Sequence, residues 1–291
     1  MDLKRELYFW VLGGDLRQVK LAQLLQLDGH TVQTYAMEQR PETDGLTGSD
    51  TLRGLERADC VVLPLPAAEG GVLHAPLSGR KVPLDGVLEA MCPGQILCGG
   101  RMEAAFLRRA EEKGVRAFDY FAREELAVRN AVPTAEGAIQ IAMEELGTTL
   151  FGARVLVIGY GRIGRVLAQR LKGLGARVTV SARRYEDLAW IEVMGCCAEC
   201  TGELEGWLCS YDLIINTVPA PVLGESLLED VSPGCLILDL ASRPGGVDFE
   251  AAAALGLKVI WALSLPGKVA PVTSGKIIRD TVYHILQEAE P

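Results

Sequence analysis

Histidine is scarce in this chain: His30, His74 and His284 are the only three among 291 residues, and none adjoins a motif. That scarcity argues against a histidine acid–base pair and against a histidine-based metal centre. Aromatic residues make up only 6%, positive charge is outweighed to a net −9, and no uninterrupted apolar run is membrane-length. The negative balance disfavours nucleic acid and anionic membranes as partners. The opening Met1-Asp2-Leu3-Lys4-Arg5-Glu6 lacks the apolar core of a secretory signal. A cytoplasmic protein is expected, with neither a nucleic-acid nor a membrane partner.

Second copies of metal-ligand spacings are also missing. Cys196-Cys197-Ala198-Glu199-Cys200, with Cys209 beyond, contains one C-x-x-C, but no second C-x-x-C or nearby histidine completes a four-ligand set. The segment falls where the third strand of a dinucleotide fold belongs, so these thiols are read as structural and no metal is expected. Cys60, Cys92, Cys98 and Cys235 lie in or beside apolar runs, where a thiol behaves as a small hydrophobe.

Glycine is plentiful, with 32 residues, and one cluster is informative. The apolar run Val155–Ile158 stops at Gly159-Tyr160-Gly161-Arg162-Ile163-Gly164, and a helical pattern begins at once. In such a G-x-G-x-x-G turn the first glycine permits the tight bend and the second lets backbone approach a pyrophosphate. The third lets the helix pack close to the sheet. The helix then aims N–H groups and a positive dipole end at the phosphates. A second strand at Ala176–Ser181 completes a βαβ unit, so a dinucleotide site is expected at these six residues.

The end of that second strand bears on which dinucleotide. An Asp or Glu there grips a ribose 2′-hydroxyl, but here Ser181 is followed by Ala182-Arg183-Arg184. A carboxylate would repel a 2′-phosphate, whereas a hydroxyl and two guanidiniums would hold it. The alternative makes both arginines solvated charges at a helix start. NADP is the expected cofactor.

Strand and helix patterns alternate along the whole chain, which implies two Rossmann-like α/β domains. Residues 1–130 read as the smaller, substrate-binding domain. Its strands are Tyr8–Leu12, Thr31–Tyr35, Cys60–Leu65, Gln95–Cys98 and Val115–Tyr120, with helices from Leu16, at Leu84–Met91 and at Met102–Lys113. Glu38–Asp50 and Ala67–Pro83 read as loops. Residues 131–151 form a linker, with Thr134 as helix N-cap before Ala138–Leu150. Residues 152–268 form a doubly wound parallel-sheet NADP-binding domain. A last helix, Ser274–Ala289 within 271–291, is expected to pack back onto the first domain, and the two domains to form a cleft that closes on ligands.

Ligands of open parallel sheets collect outside the carboxyl ends of strands. In the second domain those ends carry Thr217-Val218-Pro219, Ser242-Arg243 and Pro266-Gly267-Lys268; small and polar residues there let a nicotinamide ribose lie against backbone. In the first they carry Gly13-Gly14-Asp15-Leu16-Arg17 and Gly99-Gly100-Arg101. Arg17 is either a bidentate clamp for a substrate carboxylate or a surface arginine paired with Asp15.

This two-domain plan resembles the D-isomer 2-hydroxyacid dehydrogenases and the S-adenosylhomocysteine hydrolases. In the former, an arginine near the position of Arg243 works with a downstream histidine, and no histidine lies between His74 and His284. A 2-hydroxyacid dehydrogenase or ketoacid reductase is therefore the weaker alternative, beside a non-catalytic NADP-binding subunit. An ordered set of motifs resembles a narrower family, the dipicolinate synthase A subunits. The set is Gly13-Gly14-Asp15-Leu16-Arg17, Asn130-Ala131-Val132-Pro133-Thr134-Ala135-Glu136-Gly137, the Gly159–Gly164 turn, Asp239-Leu240-Ala241-Ser242, and Leu265-Pro266-Gly267-Lys268-Val269-Ala270-Pro271.

That resemblance implies NADP-linked oxidation of a dihydrodipicolinate-type intermediate of the lysine pathway to pyridine-2,6-dicarboxylate in sporulation. It also implies a partner, the flavoprotein-like B subunit of dipicolinate synthase, and a homo-oligomer is expected as well. Aromatisation lowers the demand for a strong base, so the site's task is to position a dicarboxylate. Arg17, Arg243, Lys268 and Arg101 are the cationic candidates, and Asp15, Asn130, Thr134 and Ser242 the polar ones. Glu136 is a candidate acid or base, or alternatively a first-turn carboxylate facing a helix dipole.

Overall fold

The computed structural model describes residues 5–38 and 41–289. The first four residues, and with them most of the opening hexapeptide, lie outside that range, as do residues 39–40 and 290–291. Contacts divide the chain into two units, residues 1–130 with 270–291, and residues 131–269.

In the first unit, Phe9, Trp10, Val11 and Leu12 are all buried on β1 (Tyr8–Leu12), the signature of a strand covered on both faces. Along the chain it is followed by β2 (Thr31–Tyr35), β3 (Thr47–Ser49) and β4 (Cys60–Val62), a hairpin of β5 (Ala68–Glu69) and β6 (Val72–Leu73), then β7 (Ile96–Gly99) and β8 (Arg116–Asp119). The sheet order is β3-β2-β1-β4-β7-β8, parallel throughout. Helices α1 (Leu16–Leu27), α2 (Leu84–Glu89) and α3 (Ala104–Glu112) lie between strands.

Two stretches expected to be loops hold pairing instead. Thr47–Ser49 adds an edge strand, and Ala68–Leu73 folds on Gly70-Gly71, both in the left-handed region. Each segment is only two or three residues long, too short for periodicity to register. Cys92 also departs from expectation, being exposed, whereas Cys60, Cys98 and Cys235 are buried; all eight cysteines are free thiols.

The helix expected at Ala138–Leu150 behind a Thr134 cap starts fourteen residues earlier. α4 (Glu124–Glu145) runs continuously through Pro133. A proline inside a helix forfeits one hydrogen bond, and packing offsets the loss: Ala131, Ala135, Ala138 and Ala142 are buried along one small-residue stripe, and Pro133 is itself buried. Thr134 is thus mid-helix rather than a cap, and Glu136 is not in a first turn.

The second unit repeats the strand order. β9 (Arg154–Ile158), α5 (Arg162–Gly173), β10 (Arg177–Ala182), α6 (Tyr185–Val193), β11 (Cys197–Cys200), β12 (Leu213–Asn216), α7 (Glu225–Glu229), β13 (Leu236–Asp239), α8 (Phe249–Ala254) and β14 (Lys258–Trp261) build a parallel sheet ordered β11-β10-β9-β12-β13-β14. The C-x-x-C cysteines are its third strand. Both units therefore have the doubly wound 3-2-1-4-5-6 arrangement, with a switch point beside the first strand.

The chain then forms a short helix, α9 (Leu265–Val269), and α10 (Pro271–Ala289). α10 begins three residues before the expected Ser274 and packs on α1. A Cβ on Gly275 would lie 2.9 Å from Arg17 O and Leu21 N, so glycine permits that approach. Ile277, Ile278, Val282, Tyr283, Ile285 and Leu286 are buried there. At roughly 1.5–3 kcal/mol per large apolar side chain, that face contributes on the order of 10 kcal/mol before entropy. Tyr283 Oη donates to Asp28 at 2.8 Å and Arg279 pairs with Asp28 at 3.1 Å, closing the joint. No helix among the described residues is long and apolar enough to cross a membrane.

Candidate functional site

At the switch point of the second unit, β9 ends and the backbone turns at Gly159, φ +99°. A Cβ there would lie 2.6 Å from Thr217 Oγ1 and 2.8 Å from Val218 Cγ2, so both the conformation and the space require glycine. Gly164 is held as tightly: its Cβ would overlap Gly159 O, and the absence of that carbon lets the first turn of α5 rest on the strand end. Gly161 differs, because a Cβ there would meet nothing within 4 Å. That open space is what the close approach of a pyrophosphate to backbone needs.

α5 starts at Gly161 without a side-chain cap. At the matching place in the first unit, Asp15 caps α1, its Oδ1 accepting from Arg17 N at 3.0 Å. One switch-point helix already carries its own anion and the other does not. Of the two sheets, only the second presents the helix end to which phosphate is drawn. Thr217 Oγ1 donates to Ile158 O at 2.9 Å, and Thr217 with Val218 backs the turn while Pro219 is exposed beside it. Tyr160 is half-buried, with the Arg165 guanidinium 4.8 Å from its ring centroid and Arg165 Nε donating to Tyr160 O at 3.1 Å. Arg162 is exposed and Ile163 half-buried.

At the end of β10 the expected 2′-phosphate residues separate into three situations. Ser181 is fully buried, its hydroxyl accepting from Thr201 Oγ1 at 3.2 Å. Arg184 is exposed but engaged, with Nε 2.8 Å from Asp187 Oδ2 and Nη1 2.6 Å from Glu186 Oε1. Arg183 is exposed and makes no ion pair among the described residues. Asp187, which sequence reasoning passed over, is only 11% exposed at its side chain and also meets Arg165 Nη2 at 3.3 Å. The Arg184 hydrogen bond and charge hold its carboxyl below the usual value.

A second network missed by sequence reasoning fixes the neighbouring loops. Asn216 and Asp239 are fully buried at the ends of β12 and β13. Asn216 Nδ2 donates to Asp239 Oδ1 at 2.8 Å and to Val218 O at 3.0 Å, while Val218 N–H donates to Asn216 Oδ1 at 3.0 Å. Asp239 also accepts from Ala241 N at 3.0 Å and Gly246 N at 2.8 Å. Its charge is thus spread over three donors, which is what lets a carboxylate sit in a core. The available signal was a polar residue closing each of two wholly apolar runs. Ser242 and Arg243 project from this loop, both exposed, with the Arg243 guanidinium 5.9 Å from the Trp261 ring centroid. Trp261 is anchored by Nε1 donating to Ala241 O at 2.9 Å and by stacking on Phe249 at 4.9 Å.

Glu136 pairs with Arg170 of α5 at 3.1 Å, both in the second unit, and Lys268 is exposed on α9. Gly137 lets α9 pack closely, its Cβ position lying 3.1 Å from Leu265 Cβ. Thr134 is half-buried on α4 in the second unit, and Asn130 half-buried on the same helix in the first.

In the first unit, Arg17 is not a surface arginine. Its side chain is 10% exposed, forked onto Asp15, and its Nη2 also donates to Leu65 O at 2.7 Å. Burial would raise the Asp15 carboxyl, but the hydrogen bonds and charge of Arg17 outweigh it and hold it low. Arg101 stands exposed at φ +57°, with its N–H donating to Asp119 Oδ1 at 2.9 Å. It lines a hollow of about 60 Å³ with Arg109, Asp85 and Phe106. Among the described residues no group of three or more His, Cys, Asp or Glu is placed to hold a metal.

Residues 8–121 match the family model of the dipicolinate synthase A-subunit N-terminal domain. Residues 120–255 match D-isomer specific 2-hydroxyacid dehydrogenase, NAD binding domain. The chain is 34% identical over 289 residues to the dipicolinate synthase A-subunit of Bacillus subtilis, covering 96% of each sequence. It resembles the crystal structure of the Bacillus subtilis A-subunit at TM-score 0.87, 32% identity, covering 98% of this chain and 97% of that one. The crystal structure of the A-subunit from Bacillus halodurans aligns at TM-score 0.88, 30% identity and 98% of both chains.

Proposed function

Because the chain belongs to the dipicolinate synthase A-subunit family, and is an oxidoreductase with a nicotinamide-nucleotide domain, we propose that it oxidises a dihydrodipicolinate-type intermediate of the lysine pathway with NADP. The product is pyridine-2,6-dicarboxylate, made for sporulation in the cytoplasm. The observation that carries the nucleotide half is the uncapped α5 N-terminus beside the open Gly161, with Arg183 free of ion pairs among the described residues.

When bound, the nucleotide supplies a nicotinamide C4 that accepts hydride from a ring carbon of the substrate. A ring proton goes to solvent, and the dihydropyridine becomes a pyridine. The chain's own work is to hold and orient. The N–H groups at the start of α5 would hold the pyrophosphate, and Arg183 would hold the 2′-phosphate. The Asn216–Asp239 network fixes the Val218 and Ala241 backbone, which would support the nicotinamide ribose. In the second unit Arg243 and Lys268 are the cations proposed for the carboxylates, with Ser242 and Thr134 as polar company; Arg17 and Arg101, with Asp15 and Asn130, are the candidates that the first unit carries. Aromatisation drives the reaction, so positioning is the larger demand. Glu136, tied to Arg170, is kept as an acid or base only if that pair opens.

The proposed partner is a flavoprotein-like B subunit, and self-association is proposed as well. The test is to incubate the purified chain with a lysine-pathway dihydrodipicolinate precursor and NADP+, with and without the B subunit. NADPH absorbance and a pyridine product are the expected result. Neither signal, even with B present, overturns the proposal. Turnover of pyruvate-like ketoacids instead would point to the 2-hydroxyacid dehydrogenase reading.

A further inference from the structure

Arg184 and Arg165 come from different elements, one from the turn after β10 and the other from the first turn of α5. They converge on a single carboxylate. Asp187 Oδ2 accepts from Arg184 Nε at 2.8 Å and its Oδ1 meets Arg165 Nη2 at 3.3 Å, with Glu186 taking Arg184 Nη1 at 2.6 Å. The Asp187 side chain is nearly enclosed, so the pairing is not a loose surface contact. Asp187 lies in the first turn of α6, where the dipole also favours it.

We infer that Asp187, assisted by Glu186, limits the chain's preference for a 2′-phosphorylated nucleotide by holding the guanidiniums that a phosphate would otherwise recruit. The inference rests on the nucleotide reading above. A 2′-phosphate meets Arg183 without competition, but it reaches Arg184 only by displacing carboxylates already bonded there. Two negative charges beside the ribose also offset part of the arginines' attraction for it. An unphosphorylated ribose loses nothing to either effect. Asp187 is therefore a specificity-determining residue that acts through Arg184 and Arg165 and touches no reacting atom.

The experiment titrates the full chain with NADPH and with NADH, following nucleotide fluorescence, for the wild type, Asp187→Asn and Glu186→Gln. Asp187→Asn is expected to raise the ratio of NADH to NADPH dissociation constants by about tenfold, chiefly through tighter NADPH binding. NADH affinity stays within about twofold, and the gain shrinks as salt is raised. Glu186 is exposed, so Glu186→Gln folds in any event and raises the ratio by about threefold. If Asp187→Asn does not fold, an unchanged Glu186→Gln ratio overturns the inference. A fall in the ratio for Asp187→Asn also overturns it, and would mean that the carboxylate holds Arg184 in place for the phosphate. The two readings fail in different ways: a wild type that binds neither nucleotide removes both, while one that binds NADPH with ratios unmoved by either substitution removes this inference alone.

Discussion

Arg17 folds back two residues along the chain onto Asp15, with Nε 2.9 Å from Oδ1 and Nη2 2.9 Å from Oδ2. The carboxylate is at once the cap of α1 and the counter-ion of a nearly buried guanidinium. Asp15→Asn keeps a capping oxygen but leaves Arg17 short of its charge partner. We expect a loss of about 2 kcal/mol in urea unfolding at neutral pH, below the range for fully buried pairs because Asp15 is partly exposed. The folded carboxyl lies below its ordinary value of 3.8, so its contribution is complete at neutral pH and fades as pH falls below 3.8. The stability gap between wild type and variant should be flat at neutral pH and narrow below 3.8. A gap that instead widens on acidification would refute the pairing.

Gly161 and Gly164 are three residues apart and should respond to alanine in opposite ways. At Gly164 the added carbon overlaps Gly159 O, so α5 must shift and the free protein should lose about 1–3 kcal/mol. At Gly161 the carbon meets nothing and φ is −77°, an ordinary value for alanine. Gly161→Ala should melt like wild type without nucleotide and yet bind NADPH at least about tenfold more weakly, since a methyl group then occupies the approach to the pyrophosphate. Thermal melts with and without NADPH decide it. Unchanged binding in Gly161→Ala would place the pyrophosphate elsewhere.

Much of this was legible in the residues themselves. The Val155–Ile158 run, its glycines and the alternation along the chain specify a doubly wound sheet, because strand burial and turn chemistry are local properties. Pro133 misled the reading because a proline marks a helix start by propensity, while the alanine stripe that carries α4 through it is a tertiary effect. Thr47–Ser49 escaped because an edge strand of three residues has no period to detect. At the site, Arg183 and Arg184 are indistinguishable in sequence. Which one is spoken for depends on the rotation of Asp187 in the first turn of α6. Ser181 is a similar case: its place at a strand end says nothing of the side chain's turn inward to Thr201.

Asp239 supplies a test of the loop scaffold. Replacing it with Asn leaves one oxygen for three donors and turns an N–H toward another N–H. With Asn216, Ala241 and Gly246 no longer all satisfied, the loss should be on the order of 3 kcal/mol. Hydrogen exchange should quicken at Ala241, Gly246 and Val218 before it does in the centre of β13. Exchange that rises uniformly across the sheet, or not at all, would show that the network does not organise these loops.

Arg243 separates substrate holding from scaffold. Its side chain is exposed, and its one aromatic neighbour, Trp261, lies at 5.9 Å, near the outer reach of a cation–π contact. Trp261 is held independently by Ala241 O and Phe249, so Arg243→Ala should alter stability by less than about 0.5 kcal/mol. It should also leave NADPH affinity unchanged, because the guanidinium lies at the end of β13 while the phosphate site proposed above lies at the β9 and β10 ends. A cation used to seat a dicarboxylate behaves differently in kinetics. kcat/KM for the dihydropyridine should fall by about 100-fold, with Lys restoring only part of it, since a point charge lacks the planar fork that a carboxylate prefers. Steady-state rates for wild type, Arg243→Ala and Arg243→Lys, beside NADPH titrations of the same preparations, make the comparison. Equal kcat/KM in all three would leave Arg243 a solvated charge and shift the carboxylate contacts onto Lys268, Arg101 or an opened Arg17.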